Sequence, residues 1–230
     1  MTDSHKFILT AALLLTGFSV HAASPGAFFS DGKKGKQAVS LTFDDGPGEY
    51  TRKVLDILDA HKIKATFFIN GDQAELRPAI ARETAQRGHE IAEHTYSHIN
   101  FYAYEKKHGL DQTRTKIRDE ITRSKSAIEK ACGVKPTLCR MPHGYNKKWL
   151  SEIGKEQGYV FVNWTFGEDW LNIPKDKMAR EYVQHVKSGA ILLFHDGGKR
   201  RENTLYVLEE VIAEAKRKNL SFLKVSEIIE

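Results

Sequence analysis

Cysteine is nearly absent: Cys132 and Cys139 are the only two in 230 residues. A chain of this length fits one domain with a sizeable core, so it needs no disulfide framework. The pair lies seven positions apart with Gly133 and Pro136 between, a spacing unlike a zinc ribbon. An even count in an exported chain allows a disulfide, which would brace the segment entering Arg140; that pairing is expected over two free thiols. A glycine-rich nucleotide fingerprint is missing, which speaks against a dinucleotide-binding sheet. There is no internal repeat and no low-complexity tract, and 40% hydrophobic with 28% charged residues is a globular composition. The net charge is +5, yet no basic cluster argues for a nucleic-acid partner; Lys33 to Lys36 reads as a solvated linker.

Long hydrophobic runs are missing as well, except near the start. Phe7 to Val20 is apolar apart from Thr10, Thr16, Gly17 and Ser19, follows Lys6, and leads into the small-residue cleavage pattern Val20-His21-Ala22. This predicts a secretory signal peptide over residues 1–22, with an apolar run short for a spanning helix, so no membrane span is expected in the mature chain. Asp3 and Lys6 cancel, so cleavage leaves a basic exported protein (periplasmic or secreted), which suits an anionic polymer such as a cell wall. Residues 23–37 are expected to be a linker and residues 38–230 one folded domain.

What is present is alternation. Ala38 to Phe43, apolar or β-branched apart from Ser40, predicts a buried strand, and Val54, Leu55 and Leu58 an amphipathic helix after it. Further strands are expected at Ala65–Ile69, His89–Glu93, Thr137–Arg140, Tyr159–Trp164, Ala190–Phe194 and Ser221–Val225. Between them fall helices at Pro78–Gln86, Asp111–Lys130, Lys147–Gln157 and Pro174–Lys187, and one capped by Asn203; Ile117, Ile121 and Ile128 form the core face of the second. About seven such repeats predict an α/β fold, a barrel related to the TIM barrel rather than a doubly wound sheet.

The ionisable residues fall just past the strand ends. Asp44 and Asp45 follow one strand, His94 and His98 another, Arg140 a third, Asp169 a fourth, and His195 closes Ala190–Phe194. In an α/β barrel these ends share one face, where active sites lie. Two adjacent carboxylates at a strand end need a use, and a cation provides one. His94 and His98, at i and i+4, would point the same way on a helical turn. With Asp45 they make two imidazoles and one carboxylate, a set that suits zinc or a similar divalent ion with one position open for water. The zinc-protease signature fails, because Thr95 rather than Glu follows the first histidine.

Thr42-Phe43-Asp44-Asp45-Gly46, His94-Thr95-Tyr96-Ser97-His98, Arg140-Met141-Pro142-His143-Gly144, Asp169-Trp170 and Leu193-Phe194-His195 together resemble the polysaccharide deacetylases of the NodB-homology type, carbohydrate esterase family four. All five motifs of that family occur in order, so the resemblance implies that residues 38–230 are a deacetylase catalytic domain on a distorted or incomplete (β/α) barrel related to the TIM barrel. It implies that Asp45, His94 and His98 bind a divalent metal, zinc first, with cobalt, nickel or manganese as alternatives. It implies Asp44 as general base, held by Arg140, and His195 as the acid that protonates the departing nitrogen, oriented by Asp169. A backbone N–H near His143 would stabilise the oxyanion, while Trp170 and Leu193 would wall the acetyl pocket. The sequence departs from the family at His143, where an aromatic is usual and Tyr145 stands two places later as a substrate-binding residue; the segment Trp164 to Glu168 before Asp169 also lacks the extra Asp often found there.

The segment Asn100–Gly109 carries Phe101, Tyr102, Tyr104 and His108 and is expected to be a loop, either stacking on sugar rings or packing its own aromatics. The expected activity is removal of N-acetyl groups from amino-sugar glycans: peptidoglycan, chitin oligosaccharide or exopolysaccharide. An O-acetyl esterase acting on xylan-type glycans and a catalytically silent glycan-binding module are the rival readings.

Overall fold

The structure, a computed structural model, describes residues 23–230. Its strands are β1 (Phe28–Phe29), β2 (Ala38–Gly46), β3 (Thr66–Ile69), β4 (Glu90–Glu93), β5 (Leu138–Cys139), β6 (Val160–Val162), β7 (Ile191–His195) and β8 (Ser221–Phe222). The helices are α1 (Thr51–Ala60), α2 (Gly71–Leu76), α3 (Pro78–Gln86), α4 (Phe101–His108), α5 (Leu110–Cys132), α6 (Leu150–Gln157), α7 (Lys175–Gln184), α8 (Glu202–Arg217) and α9 (Val225–Ile228). Every strand pairing is parallel, in the order β1-β6-β5-β4-β3-β2-β7, with β8 joined to the start of β2. Among the described residues no ladder joins β1 to β7, so the expected incomplete barrel is a curled half-barrel. Its open edge is bridged after β6, where Thr165 N–H donates to the Ile191 carbonyl (2.8 Å) and Leu193 N–H to that of Phe166 (2.9 Å).

The two-residue period of a strand splits the core into an outer and an inner layer. Val39, Leu41 and Phe43 of β2 face outward with Phe67 and Ile69, against Leu55 and Leu58 of α1 and Val207 and Val211 of α8. Ala38, Phe68, Ala92, Val160 and Ile191 face inward, where Val225 and Ile228 of α9 plug the amino-terminal end of the half-barrel. Each large apolar side chain fully buried here contributes about 1.5–3 kcal/mol. A third cluster, Phe101, Ile117, Ile121, Phe161 and neighbours, packs α4, α5 and α6 on the outer face of β5 and β6. The floor is thereby filled, and the carboxyl ends of the strands are left for polar side chains.

Three expectations are corrected. Residues 23–37 are not a free linker: β1 pairs with β6, and Gly26 N–H donates to the Tyr159 carbonyl at 2.8 Å. A two-residue strand is too short to show a pattern; stacking of Phe28 on Phe161 at 5.5 Å anchors it. Cys132 and Cys139 are free thiols. Cys132 Sγ donates back to the Ile128 carbonyl within α5, while Cys139 Sγ turns into the outer cluster toward Met141 Sδ, 3.9 Å away. Third, Asn100–Gly109 is the helix α4, whose first turn is capped by Asn100 Oδ1 accepting Ala103 N–H at 3.0 Å. The signal peptide expected over residues 1–22 lies outside the described residues.

Candidate active site

Parallel register brings the strand ends level. Asp44 of β2 stands opposite His195 of β7 and Phe68 of β3, and Ile69 stands opposite Glu93, so His94 follows β4 at the same height. In a regular strand Asp44 and Asp45 would point to opposite faces. Here the β2–β3 register shifts between Asp44 and Gly46, and Asp45 adopts φ 68°, so both carboxylates line one cavity. A bulge next to an active site re-aims a side chain in this way. The turn is locked by close approach: a Cβ on Gly197 would sit 2.0 Å from the Asp45 carbonyl oxygen.

The His94–His98 segment is not the helical turn that its spacing predicts. It is a loop with Thr95 at φ 63° and His98 at φ 52°, both in the left-handed region. Asn70 Nδ2 donates to the His94 carbonyl (2.9 Å), Gly71 N–H to that of Thr95 (3.0 Å) and Asp72 N–H to that of Tyr96 (3.0 Å). The rings still converge, with centroids 5.0 Å apart. Among the described residues, three of the seven positive-φ non-glycine residues, Asp45, His98 and His143, line this cavity, and a fourth, Thr95, lies in the loop between His94 and His98. Each such conformation costs of order 1–3 kcal/mol, which the surrounding hydrogen bonds must offset.

His94 is buried, and its Nδ1 lies 2.7 Å from the Arg140 carbonyl, which can only accept. The Nδ1 therefore carries the proton, and Nε2 is left as a lone pair, 3.6 Å from Asp45 Oδ1. Burial pushes its pKa down to about 3, so the ring stays neutral, as a metal ligand must. His98 Nε2 lies 3.3 Å from the same Asp45 oxygen. That oxygen is buried and has no hydrogen-bond donor among the described residues. An orphaned carboxylate oxygen facing two imidazole nitrogens, all three within 4.8 Å of one another, fits a divalent cation.

Beneath this cluster Asp44 and Arg140 form a buried ion pair, Oδ1 to Nη1 2.7 Å. Burial raises the Asp44 pKa, and the Arg140 charge opposes that rise without cancelling it. Protein acceptors take four of the five Arg140 N–H donors: besides the Asp44 bond, Nε donates to the Val162 carbonyl (3.0 Å), Nη2 to that of Asn163 (2.8 Å), and Nη1 also to Thr42 Oγ1 (2.9 Å). Asp44 Oδ2 is left facing His94 Nε2 at 3.6 Å. Across the cavity Asp169 accepts from His195 Nδ1 (2.6 Å), His195 N–H (2.8 Å) and Thr204 Oγ1 (2.7 Å). Burial alone would lower the His195 pKa; the Asp169 carboxylate overrides it and the pKa is raised. The ring's Nε2 is then the free nitrogen on the cavity side.

The cavity holds about 440 Å³, and His143, Trp164, Trp170, Leu193 and Arg201 complete its walls. Trp170 is 48% exposed and meets the His195 ring edge-on at 5.5 Å. Tyr145, expected in the substrate site, does not line the cavity. It is fully buried on the outer face, with its hydroxyl on Glu105 and its ring against Phe101 and Tyr102. The 3-10 turn Pro142–Gly144, with His143 at φ 56°, sends His143 into the cavity and Tyr145 away. Several positioning groups escaped sequence reasoning. Thr204 braces Asp169, and Tyr182 accepts the Glu168 and Asp169 N–H groups while donating to the Leu193 carbonyl at 2.6 Å. Both come from helices with ordinary apolar faces, and nothing in their spacing marks them.

A parallel half-barrel with a triad at its strand ends that could hold a cation, a buried Asp–Arg pair below it and a His–Asp pair opposite is the arrangement that the resemblance to the polysaccharide deacetylases implied. Residues 31–162, more than half the chain, match the family model for polysaccharide deacetylase, and the chain belongs to that family. A peptidoglycan-N-acetylglucosamine deacetylase of Bacillus cereus is 33% identical over 198 residues, covering 84% of this chain and 89% of the relative. A chitooligosaccharide deacetylase of Bradyrhizobium is 32% identical over 166 residues, 71% of this chain and 72% of that one. The solved structure of a peptidoglycan N-acetylglucosamine deacetylase superposes with a TM-score of 0.79 at 29% identity, covering 89% of this chain and 92% of that chain. The protein is thus an enzyme of the glycan-deacetylating kind, and the silent binding module is set aside.

Proposed function

We propose that the protein is an exported, metal-dependent hydrolase that removes N-acetyl groups from amino-sugar glycans, with peptidoglycan ahead of chitin oligosaccharide and exopolysaccharide. The observation that carries this reading is the orphaned Asp45 Oδ1 facing His94 and His98, with Asp44 and His195 on either side. A divalent cation held by Asp45, His94 and His98, zinc before cobalt, nickel or manganese, would supply Lewis acidity to the acetyl carbonyl and to the attacking water. Asp44 takes the water proton at Oδ2, because Arg140 occupies Oδ1. As the water oxygen bonds to the carbonyl carbon, the backbone N–H at His143 is the proposed donor to the oxyanion. His195 then passes the proton on its Nε2 to the sugar nitrogen as the C–N bond breaks, releasing acetate and a free amine. Asp169 holds His195 by Nδ1 and favours its charged form. Trp170 and Leu193 bound the space for the acetyl methyl group.

The peptidoglycan preference rests on the relative from Bacillus cereus and on the +5 charge of a chain read as exported. Among the described residues no helix is long and apolar enough to cross a membrane. The deciding experiment measures acetate release from peptidoglycan, chitin oligosaccharides, an acetylated exopolysaccharide and acetyl-xylan, with and without a chelator. Chelator-sensitive release from the N-acetylated polymers is expected. Release from acetyl-xylan alone would make the enzyme an O-acetyl esterase, and release indifferent to chelator would overturn the metal site.

A further inference from the structure

The two histidines of the cation site are held by different means. His94 has its own ring hydrogen bond, Nδ1–H to the Arg140 carbonyl. His98 forms no such bond through Nδ1 among the described residues, and its side chain is 33% exposed. Its direction is therefore set by its backbone, which is left-handed at φ 52°. That backbone needs a fixed anchor, and one is present. Glu120, in the middle of α5, is fully buried, and its carboxylate reaches the loop between the histidines. Oε2 accepts Tyr96 N–H (3.1 Å) and Ser97 N–H (2.7 Å), and the Ser97 hydroxyl lies 2.9 Å from Oε1 and 3.0 Å from Oε2. Lys116 Nζ, 3.1 Å from Oε1, balances the charge.

Consecutive backbone N–H groups converging on one anion form a nest, here filled by the protein's own carboxylate. A carboxylate buried on the apolar face of a helix is unfavourable unless paired and hydrogen-bonded, so its partners are what keep it there. We propose that Glu120 is the positioning residue for His98: through the Tyr96 and Ser97 amides it fixes the loop and thereby substitutes for the ring hydrogen bond that His98 lacks. Metal ligands are ordinarily oriented by a hydrogen bond on the ligand itself. This site orients one ligand that way and the other at one remove, from a helix on the far side of the loop. The inference rests on the reading of Asp45, His94 and His98 as the cation site.

The test is zinc affinity of the metal-stripped full-length protein, measured by competition with a chromogenic chelator beside thermal melts of the apo form. Glu120→Gln keeps the shape but replaces one acceptor oxygen with a donor. It is expected to weaken zinc binding about 10–100-fold, the scale of outer ligand-orienting contacts. Ser97→Ala, which removes only the hydroxyl contact, is expected to weaken it by a smaller factor. In the double variant Glu120→Gln/His98→Ala, affinity should be no weaker than in His98→Ala alone, because Glu120 acts through His98. Unchanged zinc affinity in Glu120→Gln with a lowered melting temperature would make Glu120 a structural brace only. A loss that adds in full to that of His98→Ala would show that it does not act through His98. If Glu120→Gln does not fold, unchanged affinity in Ser97→Ala overturns the proposal by itself. A wild-type protein that fails to bind zinc overturns the cation site and this inference together, whereas normal wild-type binding with unaffected variants removes the inference alone.

Discussion

The cavity has a deep wall and a rim. On the deep wall Asp44, His94 and Arg140 are almost wholly buried, start from strand ends, and take hydrogen bonds from or give them to neighbouring strands. On the rim His98, His143, Trp170 and Arg201 come from turns and are partly open to solvent. The deep groups set protonation: His94 is kept neutral by burial, and the Asp44 carboxylate is held by a cation that cannot lose its charge. The rim groups meet whatever enters. Groups whose charge state matters are thus placed on the most rigid part of the fold, and groups that recognise a polymer on the part that loops can vary.

The sharpest way to break this distinction uses the two histidines. His94→Ala and His98→Ala are both expected to lower metal content and abolish turnover. They should differ in stability. His94→Ala leaves the buried Arg140 carbonyl without its donor, a loss of about 1–3 kcal/mol. His98→Ala removes a partly exposed ring and should change stability by less than about 0.5 kcal/mol. Elemental analysis and melting curves decide. Full metal content in both variants sinks the ligand assignment, and equal losses of stability erase the contrast between wall and rim.

Next in size is Asp44→Asn. It should retain metal, since Asp45 supplies the carboxylate ligand, and lose roughly two orders of magnitude or more in kcat, the scale of a positioned base. A near-normal rate, or loss of the metal, would show that the neighbouring aspartates have exchanged roles.

Asp169→Asn tests the opposite wall through pH. His195 must carry a proton to release the amine, and Asp169 raises its pKa against the effect of burial. Without that carboxylate, burial prevails and the pKa falls, so the basic limb of kcat/KM should move to lower pH. The linkage has the same sign. A folded-state pKa above the unfolded value stabilises the native state fully below the ordinary histidine value of about 6.5, and this stabilisation is lost as pH rises through the raised folded value. A basic limb that stays in place in Asp169→Asn would take His195 out of the role of acid.

The buried half of the site was legible in the sequence for a physical reason. Continuous apolar runs such as Ile191–Phe194 mark parallel strands buried on both faces, and the charged residue that ends each run then lies on the active face. The rim was less legible because its geometry comes from left-handed residues and hydrogen bonds between distant segments. His94 and His98 do converge, but through Thr95 and His98 at positive φ and not through a helical turn. Tyr145 shares a motif with His143, yet one tight turn sends them to opposite sides of the sheet. Glu120 did leave a trace: it sits on the same face of α5 as Ile117 and Ile121, where a charge has no reason to be unless it holds something.

The smallest expected effect on catalysis lies in α4, outside the cavity, where a buried and an exposed aromatic are adjacent in sequence. Phe101 is fully buried in the outer cluster, so Phe101→Ala should lower stability by about 3–5 kcal/mol and depress all substrates alike. Tyr102 is 45% exposed, and its hydroxyl donates to the Gly144 carbonyl at 3.2 Å, beside the turn that carries His143. A ring in that place can stack on a sugar next to the one being deacetylated, or it can merely prop the turn. Tyr102→Phe keeps the ring and removes the prop; Tyr102→Ala removes both. If stacking matters, Tyr102→Phe should be near neutral, and Tyr102→Ala should reduce kcat/KM for long oligomers by up to roughly tenfold, about 1.4 kcal/mol, while sparing a single acetylated sugar. That is the expected result, because remote rings contribute binding and not chemistry at the metal. If the hydroxyl is the active feature, both variants should fall equally at every chain length. Curves of kcat/KM against oligomer length that stay parallel to wild type in Tyr102→Ala would remove α4 from the substrate site and leave it as packing.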